Sequence, residues 1–197
     1  MPTTPGESSL DVDKEADNVK NCTGDYSTVQ ILRRPTAKQI LEILPASSIV
    51  HFACHGVSST NPAESHLLLV KQSSTFHDGH CEEVVDKLRV KDIAALKLPV
   101  ARLAYLSACS TANSPGTRLA DEVTHIVSSF HIAGFSHVIG TLWQSEDDAC
   151  NKIAADFYSR LSETDNVAES YRYAMMKLMK QKPLQPLYWA PFIHFGA

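Results

Sequence analysis

At 197 residues the chain is long enough for one domain with a sizeable core and short for two. Its 18 Lys and Arg against 22 Asp and Glu give a formal charge of −4, which offers no basic field to a nucleic-acid backbone. No apolar run nears the roughly 20 residues that span a bilayer, and the opening MPTTPGESSLDVDKEADNVK lacks the basic start and apolar stretch of a signal peptide.

Residues 1–27 read as an irregular lead-in, with a short polar helix from Asp11 to Lys20 whose apolar stripe is Ala16 and Val19. The remaining 28–197 read as one domain. Val29–Leu32 has the character of a brief strand. Thr36 is placed to cap a helix that runs to Leu44 and is stopped by Pro45. Ile49–Cys54 is apolar on both faces and ends in His55-Gly56, the pattern of a buried parallel strand. A polar loop to Ser65, a strand at Leu67–Lys71 and a loop region over 72–89 follow. A short helix is expected at Val90–Lys97, and a second buried strand at Ala101–Leu106 leads into Ser107-Ala108-Cys109-Ser110.

A turn at Asn113–Thr117 precedes a helix from Leu119 to Ala133, closed by Gly134. His137–Trp143 reads as a strand. Helices then follow from about Ser145 to Leu161 and from Val167 to about Lys180, before an edge strand at Trp189–Phe195. Strands alternating with helices predict an α/β fold, a three-layer sandwich with a mostly parallel sheet and helices on both faces.

Two strands end in residues suited to nucleophilic catalysis, His55 after one and Cys109 after the other. A free thiol has a pKa near 8.5, and an imidazole beside it can accept its proton. His precedes Cys by 109 − 55 = 54 residues, an order and spacing found in caspases. The five cysteines stand singly, without a CxxC pair, so a reducing cytoplasmic setting is expected rather than a disulfide framework. A metal site is not expected. On a strand, His51 and His55 lie about 13 Å apart at ~3.3 Å per residue, too far to share one zinc. His77-Asp78-Gly79-His80 reads as solvated loop.

The stretches HFACHG (His51–Gly56), SHLLL (Ser65–Leu69), YLSACSTA (Tyr105–Ala112), AGFSHVIGTLW (Ala133–Trp143) and YWAPF (Tyr188–Phe192) together resemble the CHAT domain, a relative of separase and the caspases that is often attached to TPR repeats. The resemblance covers 28–197. It implies a caspase-like fold, His55 as general base and Cys109 as nucleophile, with the backbone N–H groups of Gly56 and Cys109 as oxyanion hole. Two departures stand out. Domains of this type carry a further core strand before the segment corresponding to Met1, and Ser110 stands where many relatives have Glu.

The group Glu146-Asp147-Asp148 admits two readings. Ser145 suits an N-cap, and acidic residues suit the positive end of a helix dipole. LWQSEDD also resembles the segment whose acidic residue lines the pocket for a basic substrate side chain, with Asp147 the best match and Asp148 beside it. The resulting expectation is a cysteine endopeptidase without metal or organic cofactor, acting on a protein or peptide and possessing TPR-type repeats in a longer parent chain. The alternative is a catalytically silent interaction or signalling module of the same fold. Neither nucleic acid nor membrane is an expected partner.

Overall fold

The short run Leu103-Ala104-Tyr105-Leu106 shows how the layers arise. Successive strand side chains point to opposite faces of a sheet. Here Leu103 and Tyr105 enter one buried cluster while Ala104 and Leu106 enter another. All four are buried, so this strand lies between two covered faces. The computed structural model describes residues 3–23, 28–57, 59, 61–77, 80–107, 119–143 and 145–196. The turn expected at 113–117 lies outside them.

The main sheet contains β1 (Ile49–Phe52), β5 (Leu103–Leu106), β6 (His137–Thr141) and β7 (Phe192–Phe195), in the order β1-β5-β6-β7. β1, β5 and β6 run parallel, and β7 pairs antiparallel at the edge. One face is covered by α2 (Ala37–Ile43), α3 (Val90–Ala94) and α4 (Leu119–Ala133), with Phe52, Phe130 and Phe135 in ring contact beneath them. The other is covered by α1 (Val12–Thr23), α5 (Asp147–Thr164), α6 (Val167–Gln181) and α7 (Pro186–Trp189), with Tyr105, Phe157 and Tyr158 at its centre. The expected three-layer α/β sandwich is the fold found. A parallel sheet requires this double cover, because βα crossovers lay helices on its faces.

Local chemistry sets several element ends. Thr36 and Gln39 form a reciprocal capping box at the start of α2. Asn166 caps α6 by accepting from the Glu169 N–H at 3.0 Å. Gly134 ends α4 with φ +124°, a backbone conformation closed to most L-residues.

Three stretches differ from the sequence reading. Val29–Leu32 forms no strand, and Ile31 and Leu32 remain partly exposed, because no described strand pairs with it. Residues 72–89 are not a loop: β3 (His66–His77) and β4 (His80–Arg89) form a long antiparallel hairpin, to which β2 (Gly56–Val57) adds at the base. Its root contributes the buried Leu67, Leu69, Val70 and Leu88 to the core, whereas the sequence from Gln72 to Glu83 is mainly polar and carried no core pattern. Finally, α5 starts one residue later than a Ser145 cap predicts. Glu146 takes the N-cap position with extended backbone and no side-chain bond, while Ser145 is buried. Asp147 and Asp148 in the first turn supply charge to the helix end instead.

Gly134 gives a direct check on how the α4–β6 turn is built. A Cβ there would lie 2.9 Å from the Leu98 carbonyl oxygen, and Leu98 N–H in turn donates to Ala133 O at 3.1 Å. Gly134→Ala is expected to cost about 1 kcal/mol or more, through the left-handed φ and this contact. A urea-denaturation midpoint unchanged from wild type would show that the turn yields instead.

Candidate active site

In sheets of parallel strands, sites form beyond the carboxyl ends. Here β1 and β5 pair in register, with His51 opposite Tyr105 and Phe52 opposite Leu106. His55 follows Phe52 by 55 − 52 = 3 residues, and Cys109 follows Leu106 by 109 − 106 = 3. Both chains therefore leave neighbouring strands at the same sheet edge with equal lead. Cys109 itself, and 108–118 around it, lie outside the described residues. β6 ends at that same edge, and the chain after it reaches Asp147 and Asp148 at the start of α5.

His55 is 1% exposed. Its carbonyl accepts from Leu68 N–H at 2.8 Å, which ties the residue to the root of β3. Its Nε2 lies 2.9 Å from the carbonyl oxygen of Ser8. A carbonyl only accepts, so the hydrogen-bond pattern assigns the proton to Nε2 and leaves Nδ1 as a lone pair. That Nδ1 is buried and has no hydrogen-bond partner among the described residues. Leaving such an atom unpaired costs about 1–3 kcal/mol, so the ring is held with an acceptor ready for a donor. Gly56, next in sequence, is buried at the start of β2, opposite Leu67.

The two acidic candidates are engaged differently. Asp147 is exposed, and its Oδ2 accepts from the backbone N–H of Asp11 at 3.2 Å. Asp148 Oδ2 accepts from Lys152 Nζ at 2.7 Å and from Tyr188 Oη at 2.6 Å. The Lys152 hydrogen bond first, and the Tyr188 one second, hold the Asp148 carboxyl below its ordinary range. The same pairing raises Lys152, whereas burial and then Asp148 raise the Tyr188 phenol.

Three participants escaped sequence reading. The Lys152–Asp148 contact is an i,i+4 helix pair, which spacing alone could have flagged. Tyr188 lies within the YWAPF stretch, but its partner 40 residues away was not legible. Ser8 acts through its carbonyl, and a backbone oxygen leaves no mark in a sequence. The N-terminal segment thus touches both candidate regions, with Ser8 on His55 and Asp11 on Asp147.

His51, weighed above as a metal ligand, uses both ring nitrogens within the protein: Nδ1 to Tyr158 Oη and Nε2 to Glu15 Oε1, each at 3.1 Å. Among the described residues, no group of three or more His, Cys, Asp or Glu could hold a metal ion, and no helix is long and apolar enough to cross a membrane.

This arrangement is a mixed sheet under two helical layers, with a buried imidazole at the carboxyl edge and an aligned strand leading toward a cysteine. The fold is that of a caspase-like sandwich. The family model of the CHAT domain matches residues 6–197, and the chain belongs to that family. No curated protein matches the sequence.

Asp148 offers a test of the site's electrostatics. Lys152→Met removes the largest of the causes holding its carboxyl low, so its pKa should rise toward the ordinary carboxylate value, and Tyr188→Phe should raise it less. Carboxyl carbon NMR titration reads both shifts. Stability should change little, because the ion pair is half exposed. An Asp148 titration indifferent to Lys152 would remove this pairing from the solution structure.

Proposed function

We propose that the chain is a cysteine endopeptidase in which His55 takes the proton of Cys109. The observation that carries this reading is the His55 ring: Nε2 is spent on the Ser8 carbonyl, and Nδ1 is buried without a partner among the described residues. The equal three-residue lead of His55 and Cys109 beyond paired strand positions supports it. So does membership of a family associated with caspase-like peptidases.

In the proposed reaction the Cys109 S–H proton passes to His55 Nδ1, and the thiolate attacks the carbonyl carbon of a substrate peptide bond. The carbonyl electron pair moves to oxygen, where the N–H groups of Gly56 and Cys109 would meet it. Collapse breaks the C–N bond, the leaving amine takes the proton from His55, and a thioester remains on Cys109. Water, deprotonated by His55, attacks the thioester; the acid product leaves and the thiol is restored. The substrate is a protein or peptide. Asp147, at the same sheet edge with a carboxylate only partly engaged by Asp11, would recognise a basic side chain through a charge-assisted contact. Asp148, already committed to Lys152 and Tyr188, is the weaker partner for a substrate cation and would serve to shape that end of the cleft.

Thiol reactivity separates this enzyme from a silent module of the same fold. Cys54 and Cys150 are buried, and the Cys22 thiol is pushed up by burial and by the Asp156 charge. Iodoacetamide near neutral pH should therefore modify Cys109 before these three, and His55→Ala should slow that modification while leaving Cys22 unchanged. A Cys109 rate indifferent to His55→Ala would assign the chain to the interaction-module class.

Specificity tests the role of Asp147. Cleavage of a peptide library should occur after Arg or Lys, and Asp147→Asn should reduce it sharply. The same change keeps an oxygen that can accept from Asp11 N–H, so stability should fall by no more than about 1 kcal/mol through the helix dipole. If cleavage shows no basic preference, or if Asp147→Asn lowers the melting temperature without altering specificity, Asp147 is a helix-end residue alone.

A further inference from the structure

Glu15 is an unusual residue to find in the interior. It is 4% exposed, on a helix that is otherwise polar, and its carboxylate reaches His51 on β1. Burial, and then the nearby Glu15 charge, hold the Tyr158 phenol well above its ordinary value, so its hydroxyl stays protonated and can donate to His51 Nδ1 at 3.1 Å. His51 then carries its proton on Nε2 and donates it to Glu15 Oε1. The His51 ring stacks on Tyr105, its register partner on β5, with centroids 4.6 Å apart and planes 10° from parallel. This polar cluster therefore joins α1, β1, β5 and α5. It stands four residues before His55 on one strand and four before Cys109 on the other (55 − 51 and 109 − 105).

The two ends of α1 are held by different forces. Toward its C-terminus, Val19 and Cys22 pack on the core under α5. A cavity of about 630 Å³ at the free edge of β1 runs along the helix, bordered by Val12, Ala16, Val19 and Thr23, and of these only Val19 also packs on that core. The contacts at its N-terminal end are polar and directional: Glu15 on His51, Asp11 N–H on Asp147, and an exposed Arg33–Asp13 ion pair. The chain just before it carries the Ser8 carbonyl that fixes the His55 imidazole. An apolar residue at position 15 could fill the space, yet it would not define where the helix start lies.

We propose that Glu15, acting through His51, is a positioning residue for His55, seating the start of α1 so that the Ser8 carbonyl holds the imidazole in its Nε2–H form with Nδ1 as the acceptor. Its role in catalysis rests on the peptidase reading above; its role in fixing the imidazole does not. Nitrogen-15 NMR of histidine in the full 197-residue chain reads the imidazole directly. In the wild type, the two His55 ring nitrogens should show the well-separated shifts of a fixed Nε2–H tautomer. Glu15→Leu should draw them toward averaged values and slow Cys109 alkylation about tenfold or more, as a lost tautomer does for a catalytic histidine. Glu15→Gln, which keeps an oxygen acceptor for His51 Nε2–H, should retain both.

A folded Glu15→Leu with wild-type His55 shifts would overturn the proposal. So would a wild type whose His55 tautomers are already averaged. Should Glu15→Leu not fold, Glu15→Asp decides, because it keeps the charge but withdraws the carboxylate by one methylene. Averaged His55 shifts in that variant support the proposal, and unchanged shifts overturn it. A fixed wild-type tautomer lost in Glu15→Leu, combined with Cys109 alkylation indifferent to His55→Ala, supports the positioning role and removes the peptidase reading.

Discussion

Much of this structure depends on the parallel pairing of β1 with β5. A parallel pair has no hairpin to set its register, so side chains on its two faces must do so. Here one face supplies Phe52, Ala104 and Leu106 to the cluster beneath α4, and the other stacks His51 on Tyr105 beneath α5. A slip of one residue would exchange these faces and drive His51 away from Glu15 and Tyr158. The register thus links core packing to the chemistry of the sheet edge, since whatever fixes Phe52 against Leu106 also sets the stems of His55 and Cys109.

Around that pair the interior is divided between apolar packing and a few committed polar groups. Tyr105, Tyr158, Phe157 and Phe130 are each no more than 1% exposed; burying a large side chain of this kind contributes about 1.5–3 kcal/mol. Polar groups in the same interior are costly unless paired, and His51 meets that condition at both nitrogens. His55 does not. Its Nδ1 remains unpaired among the described residues at the one edge where three parallel strands end, and this contrast between two histidines four residues apart is the clearest chemical signal in the molecule.

The N-terminal segment gives the edge its second feature. Ser8, Asp11 and Glu15 each reach a different part of the domain, on His55, Asp147 and His51 respectively. A stretch whose composition suggests only a polar lead-in is therefore bound into the domain by backbone and carboxylate contacts. Its own apolar content is slight, so those contacts supply directionality more than burial.

Sequence alone determined the elements whose signals are local. The double-faced apolar runs ending at Phe52 and Leu106, the Thr36 cap and the Gly134 stop are all written within a few residues, because propensity, capping and periodicity act over that range. His55, just beyond β1, was legible for the same reason, through the short stretch HFACHG that holds it; Cys109, within YLSACSTA, lies outside the described residues. Tertiary structure alone decided the β3–β4 hairpin, whose mainly polar outer half gains its partner only by pairing, and the fate of Val29–Leu32, a strand-like run to which no described strand adds. It alone also brought Glu15 to His51 across 36 residues, Ser8 to His55 across 47 and Tyr188 to Asp148 across 40. Such contacts depend on where helices dock on a sheet, and docking is settled by the sum of many weak packing terms rather than by any pattern near the residues themselves.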